Sequence, residues 1–215
     1  MSTLEYLAKK FNMEMASRSP ITIPNINREI MAQTLCELGF KVGAEIGVQR
    51  GNHAEMLCRN NPGLKLYCVD SWVNYPRYRD FTKSLPMEYE KTKVRLAPYD
   101  CELIRKFSMD AINDFKDKSL DFVYIDAAHD FKHVAEDLCE WARKVRVGGI
   151  VFGHDFKRAA GNYVNDVKDV VPAYCYAHRI TPWFVLGQTG HNDGLFREGT
   201  QSWMFVRQET DKIWL

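Results

Sequence analysis

Two carboxylates and two imidazoles fall at or just past the ends of apolar runs. Asp126 closes "FVYID", His129 follows three residues later, and His154 with Asp155 closes "IVFGHD". Apolar runs of this length read as strands, and strands paired side by side bring their ends to within ~5 Å, so these side chains converge on one crevice. Two chemistries are open there. Asp126, His154 and Asp155 can hold a divalent cation; magnesium prefers an all-oxygen shell, so an imidazole ligand favours manganese, iron or zinc. Alternatively His129 or His154 serves as a general base toward a hydroxyl, since imidazole titrates near neutrality. His129 also reads as a helix cap together with Asp130, and His133 as a structural or surface group.

A second constellation lies upstream. "VGAEIGVQRGNHAEML" places Gly47 and Gly51 between an apolar run and a helix, as a strand-to-helix ligand loop requires. A dinucleotide fingerprint would have G-x-G-x-x-G; here Gln49 stands two residues after Gly47, so the loop passes close to a ligand without cradling a diphosphate. About 20 residues on, "KLYCVD" ends in Asp70, where a carboxylate can accept hydrogen bonds from both ribose hydroxyls. The pair suggests an adenosine without a pyrophosphate. A turn or helix cap is the alternative role for Asp70.

Positioning these groups demands alternating strands and helices. "REIMAQTLCELG" has helical periodicity and stops at Gly39; "KVGAEIG" is a strand, "NHAEMLCRN" a helix and "KLYCVD" a strand. The alternation continues through "MEYEKTKVRLA", "CELIRKF", "MDAINDFKD" and "DFVYID". A strongly amphipathic helix then carries Val134, Leu138, Trp141 and Val145 on one face and ends at Gly148 and Gly149. After "IVFGHD" and a helix within "YVNDVKDVVPAYCYA" come "WFVLGQ" and "QSWMFVRQ", joined without a helix and therefore antiparallel. The expected fold is α/β: a doubly wound, mostly parallel seven-stranded sheet ending in an antiparallel hairpin. Residues 1–27 read as a helical N-terminal extension and 28–215 as one domain.

Bulk properties narrow the partners. With 215 residues, 46% of them hydrophobic, the chain suffices for one sizeable core. A net charge of +1 provides no global field for nucleic acid. Glu5, Lys9 and Lys10 interrupt the apolar stretch that a signal peptide needs, and no apolar run approaches the ~18 residues that span a bilayer, so a cytoplasmic protein without a membrane partner is expected. Six cysteines without a CxxC pair fit free thiols in a reducing compartment.

Together these motifs resemble the class I S-adenosylmethionine-dependent methyltransferases, over roughly residues 28 to 208. "EIGVQRG" is similar to that family's first motif, which implies Glu45, Gly47 and Gly51 beside the methionine part of the cofactor; "VDSW" implies Asp70 on the ribose with Ser71 and Trp72 nearby. "FSMDAI" implies Ser108 and Met109 at the adenine, and "YIDAAHDF" places Asp126 in the fourth motif. The longer stretch "DFVYIDAAHDFKHVAEDLCEWARKVRVGGIVFGHDF" resembles the small-molecule O-methyltransferase branch. Gln49 departs from the first motif, where a third glycine is usual. In the metal-dependent members, residues matching Asp126, His154 and Asp155 bind magnesium; His154 departs from the more usual Asp. The resemblance implies S-adenosyl-L-methionine as cofactor, with magnesium or manganese as a further candidate.

The acceptor is expected to be a small molecule. "WVNYPRYRDFTKSLPMEY" is longer than a strand-to-helix connection needs, and Tyr75, Arg77, Tyr78, Arg79 and Lys83 could close over a substrate, joined by Lys157 and Arg158. The basic groups suit a sugar or an anionic metabolite; a solvated charged loop is the alternative. Two other function classes stay open: a metal-dependent oxidoreductase on the same scaffold, and a non-catalytic cofactor-binding module, each compatible with the fold. The N-terminal segment could act as a lid or as a dimer arm, the latter compatible with a homo-oligomer.

Overall fold

In the computed structural model of the protein, residues 1–15, 18–73, 85–158, 164–187 and 200–213 are described. Helices α1 (Thr3–Lys10), α2 (Arg28–Glu37), α3 (Asn52–Asn60), α4 (Leu85–Leu96), α5 (Ser108–Ala111), α6 (Phe131–Lys144) and α7 (Val167–Ala177) surround one sheet. Its strands are β1 (Ile21–Ile23), β2 (Val42–Ile46), β3 (Lys65–Asp70), β4 (Cys101–Arg105), β5 (Leu120–Ile125), β6 (Val145–Gly153), β7 (Trp183–Leu186) and β8 (Ser202–Val206). The order across the sheet is β1-β7-β8-β6-β5-β2-β3-β4. Only β8 is reversed, pairing antiparallel with both β6 and β7. No helix among the described residues is long and apolar enough to cross a membrane.

The sheet therefore has eight strands rather than seven. The additional one is β1, whose Ile21 and Ile23 face inward while Thr22 faces out, and which pairs parallel with β7 at the edge. Three residues with two apolar positions are too short for periodicity to distinguish from a loop. Ahead of it, α1 begins with a capping box between Ser2 and Glu5 and buries Leu7, and Thr3 Oγ1 donates to the Gly148 carbonyl at 2.6 Å.

Strand alternation divides the interior into two cores. Ala44 and Ile46 of β2 join Val134, Leu138 and Trp141 of α6 on one face, whereas Leu66 and Cys68 of β3 join Leu57 and Cys58 of α3 on the other. Each large apolar side chain of α6 so buried contributes about 1.5–3 kcal/mol. Asp130 caps α6, its carboxylate accepting the His133 amide.

One boundary differs from the sequence reading. Gly148 and Gly149 do not end α6; the helix stops at Lys144 and β6 starts at once, with the glycines inside it. The register against β5 shifts between Leu120 and Phe122, and a side chain on Gly149 would come within 2.4 Å of the Asp121 carbonyl oxygen. The glycines serve a strand irregularity where two backbones touch, not a helix end.

From β2 the chain winds outward through β3 and β4, then returns to place β5 on the other flank of β2. The reversal makes the carboxyl ends of β2 and β5 the topological switch point, where open α/β sheets form a ligand crevice.

Candidate functional site

At that switch point, backbone crowding dictates Gly47. Its φ is +89°, and a Cβ there would lie 2.2 Å from the carbonyl oxygen of Asp126 at the end of β5. The loop then turns through Gln49, also in the left-handed region at φ +48°, to Gly51, the left-handed N-cap of α3.

Gln49 occupies the third-glycine position at a conformational cost of order 1–3 kcal/mol, and its surroundings explain how. Its amide and that of Val48 both donate to Asp70 Oδ2, at 2.9 and 3.0 Å. Its carbonyl accepts from the Trp72 indole at 2.8 Å and from Thr92 Oγ1 at 2.7 Å. All four contacts either involve its main chain or hold its neighbour, so the side chain's identity is not what fixes the turn. Asp70 Oδ1 accepts the Trp72 amide at 2.7 Å. Of the roughly four acceptor directions a carboxylate offers, about one is left for a ribose hydroxyl. Asp70 thus holds the loop rigid, a duty the sequence did not disclose.

Several expected cofactor residues sit behind the crevice. Trp72 is fully buried and supports the loop from beneath. Glu45 is 2% exposed, because alternation along β2 turns it toward α3, where Oε2 lies 3.5 Å from His53 Nδ1; burial raises its carboxyl, with His53 opposing. Ser108 Oγ accepts the Trp141 indole at 2.7 Å and donates to Asp137 in a short hydrogen bond. Desolvation lifts that buried Asp137 to about 7, against the Ser108 hydrogen bond. Met109 packs against the core and Ser71 accepts the Val73 amide at 3.4 Å.

The polar cluster does assemble as the strand ends require. β5 and β6 are neighbours, with Ile125 opposite Gly153. His129 Nε2 bridges the two carboxylates, 3.4 Å from Asp126 Oδ1 and 3.0 Å from Asp155 Oδ2. His154 Nδ1 lies 3.9 Å from Asp126 Oδ2 and 3.5 Å from Asp155 Oδ1. Lys157 Nζ is 3.3 Å from Asp155 Oδ1. Thr200, at the start of the run leading into β8, donates from Oγ1 to Asp155 Oδ1 at 3.0 Å and lies 3.2 Å from His154 Nε2. Tyr124 places its hydroxyl 3.4 Å from Asp126 Oδ2. No motif marks Thr200; only the reversed strand brings it to this place.

Charge follows geometry. Burial opposes a proton on His129, but hydrogen bonds and charges from Asp126 and Asp155 outweigh it and raise the imidazole to about 9. The two carboxylates thus favour the protonated form of His129. Burial pushes Asp155 up, yet His129, His154 and Lys157 together hold it well below the carboxylate range. Asp155 also adopts φ +53°, and the Asn165 side chain fixes its carbonyl at 3.2 Å.

For a cation, one donor atom each from Asp126, His154 and Asp155 lie within 4.8 Å of one another. The mixed oxygen and nitrogen set suits manganese, iron or zinc better than magnesium. His129 engages Asp126 Oδ1 and Asp155 Oδ2, which leaves Asp126 Oδ2 and Asp155 Oδ1 on the side of His154. The expectation for His133 is different: its Nδ1 pairs with Asp130 at 2.6 Å, outside the cluster.

Of the expected substrate residues, Arg158 extends to the surface and pairs with Asp169 at 2.9 Å. Tyr75, Arg77, Tyr78, Arg79 and Lys83 lie outside the described residues.

With the geometry in place, comparisons identify its kin. The sequence profile of a methyltransferase domain matches residues 44–156, from the middle of β2 to just past Asp155. No curated protein sequence matches the chain. Among solved structures, cofactor-bound Rv0187 from MTB superposes with a TM-score of 0.64 at 16% identity, covering 96% of this chain and 90% of that one. An O-methyltransferase from Bacillus cereus in complex with SAH gives 0.60 at 16% identity, covering 95% and 89%. The O-methyltransferase TomG from Streptomyces achromogenes, involved in tomaymycin synthesis and in complex with SAM, gives 0.59 at 14%, again covering 95% and 89%. At these identities the likeness shows the fold.

Proposed function

Given that the chain belongs to the methyltransferase domain family, we propose that it moves a methyl group from S-adenosylmethionine to a hydroxyl oxygen of a small molecule. The observation that carries this reading is the apposition of two features at one switch point: a glycine loop locked by Asp70, and a polar cluster joined to it through the Gly47–Asp126 contact. The first suits an adenosine ligand without a diphosphate. The second suits deprotonation of a hydroxyl beside it. Solved structures of the same fold with SAM or SAH bound support the choice of donor.

When bound, S-adenosylmethionine supplies a methyl group already activated on a sulfonium, so the chain's tasks are alignment and proton removal. In this reading His154 takes the acceptor proton. Thr200 and Asp155 flank its ring and set its orientation, since a base must meet its proton within hydrogen-bond reach. Asp155, held anionic by its cationic neighbours, is a poor proton acceptor but stabilises the imidazolium that His154 becomes. His129, whose protonated form the two carboxylates favour, keeps Asp126 and Asp155 in place without taking part in the transfer.

A specific observation favours a second reading, in which Asp126, His154 and Asp155 hold a divalent cation that orients the acceptor oxygen and lowers its pKa. The first reading is preferred because Thr200 and Asp155 already hold the His154 ring, and no step above passes through a metal.

The test is calorimetric titration of the chelator-treated protein with S-adenosylmethionine and, separately, NAD, each with and without manganese. The expected result is binding of S-adenosylmethionine alone and without metal, followed by methyl transfer to hydroxylated acceptors in a screen. Binding of NAD instead would move the protein to the oxidoreductase class. Manganese-dependent turnover would replace the His154 account with the metal one.

A further inference from the structure

On the opposite face of the sheet from α6, three cysteines from three elements meet. Cys58 lies near the C-terminal end of α3, Cys68 in β3 and Cys101 at the start of β4. The pairing Leu66↔Cys101 puts Cys68 diagonally across from Cys101 on the same face, where α3 packs. Cys58 Sγ and Cys101 Sγ are 3.4 Å apart. All three are free thiols. A cleft of about 340 Å³ opens beside the pair, lined by Cys58, Arg59, Pro62, Tyr99 and Asp100 among others. Neither the glycine loop nor the polar cluster uses these sulfurs.

We propose that Cys58 and Cys101 form a peroxide-reactive dithiol that closes to an intramolecular disulfide, with Cys101 as the sulfur oxidised first. The roles follow from asymmetry around Cys101. Hydrogen bonding with the Cys58 and then the Cys68 thiol outweighs burial and lowers the Cys101 thiol. Cys58 is pushed the other way by its hydrogen bond to Cys101 and by burial. The thiolate is the nucleophilic form of cysteine, and access decides which sulfur meets peroxide first, which makes Cys101 the reactive partner and Cys58 the resolving one. Cys101 is also partly exposed, whereas Cys58 and Cys68 are buried.

In the first step the Cys101 sulfur attacks one oxygen of hydrogen peroxide. An S–O bond forms, the O–O bond breaks, and the departing hydroxide takes up the proton that Cys101 released, leaving as water. Cys58 sulfur then attacks the sulfenic sulfur: the S–S bond forms, the S–O bond breaks, and the hydroxyl leaves as water with the Cys58 proton. Two thiols lose two electrons and two protons, and one peroxide is reduced to two waters. Closure needs the sulfurs to move from 3.4 Å to the ~2.05 Å of a disulfide, a shift within side-chain rotation and a small slide of the helix end.

The experiment treats the reduced full chain with a few equivalents of hydrogen peroxide and reads intact mass, thiol titre in denaturant and a non-reducing peptide map. The expected result is a loss of about 2 Da, disappearance of two of the six thiols, a peptide linking Cys58 to Cys101, and full reversal by dithiothreitol. Cys58→Ser is expected to leave a dimedone-reactive sulfenic acid on Cys101 with no disulfide, while Cys68→Ser still closes the bridge. Retention of all six thiols, oxidation confined to Cys36 and Cys139, or a bridge from Cys68 to Cys101 would each overturn the assignment.

Discussion

Gly47 and the carbonyl of Asp126 are in such close apposition that a Cβ on the glycine would stand 2.2 Å from that oxygen. The glycine loop and the end of β5 are therefore one packed unit. Gly47→Ala is expected to destabilise the fold by about 2–4 kcal/mol, through backbone clash and positive φ, and to abolish S-adenosylmethionine binding. Denaturant unfolding and calorimetry read the two losses; an alanine variant of wild-type stability would sink the claim of contact.

His154→Ala and Asp155→Ala are expected to lower kcat by about 10²–10⁴, with S-adenosylmethionine affinity changed less than about threefold, because neither touches the glycine loop. Equal losses of cofactor binding would count against these roles.

His129→Gln tests the cation. A group whose folded pKa of about 9 exceeds its unfolded value near 6.5 adds stability that is complete below pH 6.5 and lost as pH rises through 9. The variant should therefore be less stable than wild type at pH 6 by about 3 kcal/mol, the gap closing by pH 9.5. Urea midpoints at the two pH values decide it.

Asp137 has the opposite sign. Its carboxyl rises to about 7 on folding, so between pH 4 and 7 the unfolded chain ionises first and wild-type stability falls. Asp137→Asn keeps an acceptor for Ser108 and removes the ionisation. Its stability relative to wild type should improve by about 4 kcal/mol from pH 4 to pH 7.5; a pH-independent difference would show that burial does not control this carboxyl.

Gln49→Gly should leave stability within about 0.5 kcal/mol of wild type or above it, since the contacts here are made by the backbone, whereas Gln49→Val should cost about 1–2 kcal/mol at this positive φ. Thermal unfolding of the pair checks both directions.

The sequence disclosed what periodicity and strand ends control. The α/β alternation and the reversed last strand were legible because apolar runs and turn residues recur at fixed spacing. So was the meeting of Asp126, His154 and Asp155, because each closes a run and parallel neighbours end together. Side-chain direction was not legible. Glu45 turns into the core because strand alternation sends it there, and Trp72 folds under the loop at φ +45°, a backbone choice no motif announces. Asp70 reads as a ribose ligand, and the three backbone amides its carboxylate accepts, from Val48, Gln49 and Trp72, are announced by no motif. Thr200 was invisible for another reason: its distance in sequence from Asp155 is bridged only by the sheet order.

The short strand β1 has a consequence for how the chain reaches its native state. Ile21–Ile23 pairs with Phe184, Val185 and Leu186, and Ser19 Oγ accepts the Trp183 amide at 3.0 Å. During synthesis these early residues must wait for more than three quarters of the chain before their partner exists, and pairings so remote in sequence are slow to form. The central strands β2 to β6 can assemble first. Edge closure by β1 then comes late, so that proteolysis of partly folded chains should begin around Ile21–Ile23, while the crevice at β2 and β5 is already protected.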